Sequence, residues 1–182
     1  MDTLRPQNLG SKGDRHAIPY FKAAYRLELL RSQILGPERF DHAFRHYIEV
    51  WAYRHPTPSD FLRLMNSDAG EDLSWFWRGW YFKTWFPDYA IEDVKYTSDA
   101  KLKITILNKG WLPLPLTVLE KWTDGTTTSV RIPTEVWSSG NRHTLEIPSP
   151  RSIAAIIIDP DHEIPDVNRS NNEFFATGRP TQ

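Results

Sequence analysis

The sequence predicts an α+β chain, in which an N-terminal bundle of about four helices is followed by a small antiparallel β-sandwich of immunoglobulin-like type. Two observations carry this. Up to about residue 86 apolar residues recur at helical spacing with almost no β-branched runs, whereas from Ala90 to Asp159 Val, Ile and Thr gather in short segments between turn signals. The change falls at Pro87-Asp88. The expected organisation is an extended lead-in at 1–16, a helical segment at 17–87, the β-sandwich at 88–175 and a tail at 176–182. A chain of 182 residues is long enough for two small units, each with its own core.

The helices follow in order. After Pro19, Ala23, Leu27, Leu30 and Ile34 keep the spacing of one buried stripe. Gly36-Pro37 ends that helix, since Gly suits a left-handed cap and Pro suits the first turn of the next helix. The second helix carries Phe40, Ala43, Phe44, Tyr47 and Trp51 on one face, and His42 and His46 on the other. An i, i+4 His pair can bind zinc on a helix, but the residue after the first His would be Glu and here is Ala43. The pair is read as solvated and given no role. Thr57-Pro58-Ser59-Asp60 is a capping-box pattern that starts a third helix burying Phe61, Leu64 and Met65, with a break expected from Asn66 to Gly70.

The fourth helix is the stretch DLSWFWRGWYFKTWF, residues 72–86, with eight aromatic side chains among its last twelve positions. Leu73, Phe76, Trp77, Trp80 and Thr84 make one face, while Trp75 and Phe82 point elsewhere. A membrane wedge needs a strongly basic polar face, which Arg78 and Lys83 do not make. Sugar-binding rings are usually presented singly from sheets or loops. The expectation is a helix covered on more than one side, wedged between its own bundle and a neighbouring domain.

In the β half, strands are expected at roughly 90–97, 101–108, 115–122, 126–132, 134–137, 142–147 and 153–159. Lys101 to Ile106 alternates strictly, so one face is buried and one wet. Asp124-Gly125 between two such runs is a hairpin signal, and the nearly continuous apolar run from Ile153 to Asp159 predicts a central strand. In the closing DPDHEIPDVNRSNN, Asp159, Asp161, Asp166 and Asn168 evoke a calcium loop. Their spacing does not fit the helix-loop-helix pattern and no Gly supplies the sharp turn, so they are read as turn-capping residues.

A formal net charge of −1 without a long basic run argues against a nucleic-acid partner. No apolar run is long enough to span a bilayer, and the polar start MDTLRPQNLGSKGDRH is not a secretory signal. The localisation stays open between bacterial cytoplasm and export. With no Cys, disulfides and thiolate metal sites are excluded.

The string PYFKAAYRLELLRSQILGPERFDHAFRHYIEVWAYRHPTPSDFLRLMNSDAGEDLSWFWRGWYF resembles the stretch that follows the zinc-binding motif in aminopeptidase N-like gluzincin metallopeptidases. Tyr20-x-Lys22 opens a helix, Leu35-Gly36 breaks it, and Phe40, Ala43 or Phe44 and Tyr47 mark the next. Thr57 to Phe61 caps a third, and Gly70-x-Asp72-Leu73 precedes one rich in Trp. The likeness is close over residues 18–86, and the tail DPDHEIPDVNRSNN is similar to the end of some bacterial members. Ala23 stands where members commonly have Gly or Pro.

What the resemblance implies is a parent zinc aminopeptidase in which Tyr20 is the catalytic residue, its hydroxyl set against the developing oxyanion. The zinc would belong to the parent, because no His-Glu-x-x-His occurs in this chain and His162-Glu163 lacks the second His. This chain alone is therefore expected to bind no metal or cofactor and to be inactive. Its implied partners are the missing N-terminal catalytic half and, in the parent, a peptide substrate, with pairing of two copies through an exposed seam as a further expectation. The alternative is a non-catalytic module that binds a peptide, a glycan or another protein.

Overall fold

A computed structural model describes residues 23–97, 99–149 and 151–176. The chain divides into two compact units, Met1–Thr84 and Trp85–Gln182. Among the described residues the first is helical and the second is built on antiparallel sheets.

In the helical unit, α1 (Ala23–Leu29) runs directly into a π-helical segment, Leu30–Leu35. Gly36, at φ 80°, ends it in a conformation that favours glycine, and Pro37 opens α2 (Pro37–Trp51). The widened turn moves the buried stripe. Arg26, Leu29, Leu30 and Leu35 are buried, whereas Ala23, Leu27 and Ile34 are only partly covered. An α-helical period counted from Ala23 cannot anticipate the extra residue that a π-turn inserts.

Phe40 and Ala43 of α2 face inward, and Phe44 stacks on Phe40 with ring centroids 5.7 Å apart. Arg31 grips Asp41 with two parallel hydrogen bonds, Nε to Oδ1 at 2.7 Å and Nη2 to Oδ2 at 3.0 Å, which tie the π-segment to α2. The third helix, α3 (Pro58–Ala69), begins at the expected capping box: Asp60 N–H donates to Thr57 Oγ1 at 3.3 Å and Thr57 N–H donates to Asp60 Oδ2 at 2.8 Å. Met65 is fully buried, while Phe61 and Leu64 are partly so. The break expected at Asn66 is not there. The helix continues to Ala69 and stops at Gly70, which adopts the left-handed cap, and Asn66 stays helical with its Oδ1 accepting from Trp77 Nε1 at 2.7 Å.

Leu73 precedes α4 (Ser74–Trp77), which widens at once into a second π-helical segment, Arg78–Phe82. Leu73, Phe76, Trp77 and Trp80 are buried, as the periodicity predicts. The helix ends at Phe82, so Thr84 lies outside it and is exposed. Tyr81 and Phe82 are exposed as well, Phe82 by 70%, so in this unit the segment is not covered all round.

The second unit holds two sheets, with strand orders β1-β2-β5 and β4-β3-β6-β7. Its strands are β1 (Tyr89–Tyr96), β2 (Lys101–Asn108), β3 (Leu116–Trp122), β4 (Thr127–Ile132), β5 (Arg142–Pro148), β6 (Ile153–Ile158) and β7 (Glu173–Phe175). Every pairing between these strands is antiparallel. Leu102, Ile104 and Ile106 of β2 turn to the core, and Leu116, Val118 and Trp122 do so from β3. Each such side chain contributes about 1.5–3 kcal/mol through burial. The apolar β6 lies between β3 and β7, and none of its positions is exposed on either face, which explains why its sequence does not alternate.

Asp124-Gly125 turns β3 into β4, with Gly125 at φ 84° and Asp124 Oδ1 accepting from Thr126 N–H at 3.0 Å. One expected strand is absent. Residues Thr134–Ser139 form a 3₁₀ helix after Pro133, and the indole N–H of Trp137 donates to the Leu114 carbonyl at 2.9 Å. A run so short carries no period of its own, and the loop it packs against decides its form. The missing count is supplied by β7, three residues that pair with β6.

Candidate functional site

Tyr20, the residue singled out for catalysis, and Lys22 lie outside the described residues. The rest of the helical segment can be built upward. Arg26 stands in α1 between Ala23 and Leu30, a basic residue beside apolar positions, and it is buried with 8% of its surface exposed. Its guanidinium carbon lies 5.2 Å from the ring centre of Trp80 and 5.1 Å from that of Tyr81. Both distances are within cation–π range. The π-turn at Arg78–Phe82 makes this arrangement, because its wider circuit brings two successive rings toward one cation.

Burial without water lowers the pKa of Arg26, opposed by its hydrogen bond and attraction to Tyr81. Loss of water raises the pKa of the Tyr81 phenol, and the neighbouring Arg26 charge works against that rise. Two donors in the cluster, Arg26 Nε and Trp80 Nε1, are buried with no hydrogen-bond partner. Sequence reasoning missed this cluster. The signal was an Arg within the apolar stripe, but its partners come from a distant helix.

His42 and His46 are exposed on α2, as expected. With Arg45, Glu49 and Asp68 they line an open depression of about 480 Å³. His46 Nδ1 is hydrogen-bonded to Asp68 Oδ2, a pairing invisible in the sequence because Asp68 belongs to α3. Among the described residues no group of three or more His, Cys, Asp or Glu side chains is placed to hold a metal ion. The described residues therefore do not fit a zinc site.

The acidic segment after β6 is a turn closed by its own hydrogen bonds. Asp159 Oδ1 accepts from the Glu163 N–H at 2.9 Å, and Oδ2 accepts from the Ile164 N–H at 3.0 Å and from Arg169 Nη2 at 2.9 Å. Asp166 accepts from Asn168 N–H at 2.8 Å and from Tyr89 N–H at 2.8 Å. Oxygens committed to N–H donors are not arranged as cation ligands. Asn168 Oδ1 caps the 3₁₀ turn Arg169–Asn171, and Asp161 is exposed. In the same unit Trp111 is exposed, and no helix among the described residues is long and apolar enough to cross a membrane.

No known family model matches the sequence, and no curated protein does. Among solved structures, the chain is similar to Legionella pneumophila aminopeptidase A, solved in complex with aspartic acid, with a TM-score of 0.59 and 15% sequence identity. The match covers 85% of this chain and 18% of that one. This chain thus spans under a fifth of that protein, and what the two share is an aminopeptidase-like fold.

Proposed function

We propose that this chain is the C-terminal part of a zinc-dependent aminopeptidase, of the gluzincin type that its helical segment resembles. The observation that carries the reading is the fold likeness to a solved aminopeptidase over 85% of the chain. The ordered motifs from Tyr20 to Trp80 support it. On this reading the segment 17–87 is the end of a catalytic domain and 88–175 is an immunoglobulin-like sandwich.

Tyr20 is the residue assigned to chemistry. A neutral phenol donates a hydrogen bond to the oxyanion that develops as a peptide carbonyl is attacked, and one such donor is worth about 10²–10³ in kcat. The zinc ligands lie in the missing N-terminal half, so this chain alone hydrolyses nothing. Reading the gene upstream of the Met1 codon for an in-frame His-Glu-x-x-His and a further Glu tests the assignment. In the longer protein, Tyr20→Phe then lowers kcat for an aminoacyl anilide by orders of magnitude at an unchanged Tm. An unaltered kcat would remove Tyr20 from the mechanism.

A second reading, a peptide- or glycan-binding module or a homodimer contact, draws on the exposed rings of Tyr81 and Phe82. Saturable quenching of Trp fluorescence by an oligosaccharide favours the module. A concentration-dependent sedimentation coefficient, lost in Phe82→Ser, favours the dimer.

A further inference from the structure

The cluster around Arg26 has more donors than acceptors: the Tyr81 phenol accepts from the guanidinium, while Arg26 Nε and Trp80 Nε1 are left without a partner. An arginine presents five N–H donors and accepts nothing, so a buried one needs acceptors around it. Elsewhere this chain supplies them on the Nε/Nη edge. Arg31 meets Asp41 side-on at 2.7 and 3.0 Å, and Arg142 meets Glu92 at 2.6 Å on both bonds. Arg39 turns the same edge to the carbonyl of Ala69, at 3.0 Å from Nε.

Arg26 is more deeply buried than any of these, yet its Nε–H finds no acceptor. Among the described residues the ionisable group acting on its charge is the Tyr81 phenol, and no carboxylate there forms an ion pair with it. Beside it the indole N–H of Trp80, on a residue with 5% of its surface exposed, is equally unsatisfied. The guanidinium carbon lies over the Trp80 and Tyr81 rings, and the Nε–H is the donor that remains to meet a ligand. Tyr81 is the outward ring of the cluster, 40% exposed.

We infer that Arg26, Trp80 and Tyr81 form the donor side of a carboxylate-binding site. A planar carboxylate matches the forked edge of a guanidinium better than a halide does, and can take a further N–H from an indole. The same chemistry is offered by a small free carboxylate and by the C-terminus of a peptide. This inference is independent of the reading of Tyr20.

The test follows the Arg26 Nε–H and Trp80 indole N–H resonances of the ¹⁵N-labelled full chain, assigned through Arg26→Met and Trp80→Phe. The titrants are sodium acetate, a short peptide with a free C-terminus and its C-terminally amidated form, each against sodium chloride at equal ionic strength. Saturable downfield shifts of both signals with acetate, absent with chloride and lost for Trp80 in Arg26→Met, are the expected result. At least tenfold tighter binding by the free-terminus peptide than by acetate, abolished by amidation, would assign the site to peptide ends; equal binding would assign it to small carboxylates. Shifts that fail to saturate, or that chloride reproduces, overturn the proposal. Arg26→Met removes a buried cation and keeps an apolar stem of similar length, so loss of binding there is not loss of fold.

Discussion

The hydroxyl of Tyr89 accepts a hydrogen bond from the backbone N–H of Leu114 at 2.8 Å and donates its own to the carbonyl of Leu112. The phenol is wholly buried, and burial drives its pKa well above the ordinary value, so it stays neutral and can serve as both donor and acceptor. Through this one atom β1 holds the loop that leads into β3.

Replacing Tyr89 with Phe should expose how much that relay contributes. The Leu112 carbonyl keeps the amide of Asn108, whose Nδ2 donates to it at 2.9 Å, so only the Leu114 N–H is orphaned. One buried unsatisfied donor costs about 1–3 kcal/mol. Urea unfolding of the full chain should show a midpoint lowered to match, with an unchanged m value; a loss below about 0.5 kcal/mol would mean that water replaces the hydroxyl.

Gly110 is held by contact with Phe86. The Phe86 N–H donates to the Gly110 carbonyl at 3.0 Å, and a Cβ at residue 110 would stand 1.9 Å from the Phe86 carbonyl oxygen. Backbone must move to admit it. Gly110→Ala should therefore destabilise the β unit by about 3 kcal/mol. Circular dichroism of the strand signal on heating checks this, and a Tm equal to that of the parent chain would refute the close approach.

Thr57→Ala should cost about 1 kcal/mol, because it removes the side-chain cap from the Asp60 N–H, whereas Thr57→Gly should cost only a few tenths. Equal losses in the two variants would show that the cap itself contributes little.

A pH effect is expected at the turn between β1 and β2. Hydrogen bonds from Lys101, and next from Thr97, lower the Asp99 carboxyl from 3.8 to about 2. A carboxylate with a depressed folded pKa binds its proton more weakly folded than unfolded. Its contribution to stability is complete above pH 3.8 and is lost as pH falls through about 2. Asp99→Asn should flatten the fall in Tm over this window, and an identical slope in both proteins would contradict the shift. The group is surface-exposed, so the effect shrinks in high salt.

Arg26→Met should leave stability unchanged or raise it, by about 1–4 kcal/mol, since a guanidinium whose Nε–H has no acceptor is desolvated at a cost that a thioether does not carry. A marked drop in Tm would mean that the contacts with Trp80 and Tyr81 outweigh desolvation.

Much of the fold could be read from local physics. The capping box at Thr57, the Gly36-Pro37 break, the alternation from Lys101 to Ile106 and the Asp124-Gly125 hairpin each depend on residues a few positions apart, and each stands where expected. The two π-turns were not legible, since they displace the helical period they interrupt. Nor was Glu173–Phe175, because three residues make a strand only when β6 offers them an edge. The 3₁₀ helix at Thr134–Ser139 went the other way, its form set by what Trp137 packs against.

The candidate site divides along the same line. Tyr20 was chosen from motif order and lies outside the described residues, so its role is argued from sequence and tested by experiment. The cluster of Arg26, Trp80 and Tyr81 was decided only by tertiary structure. By itself the sequence determined the class of each element, because propensity, capping and periodicity act over one or two turns. Which buried donors meet, and which are left without an acceptor, depends on packing between helices far apart in the chain, and no local pattern encodes it.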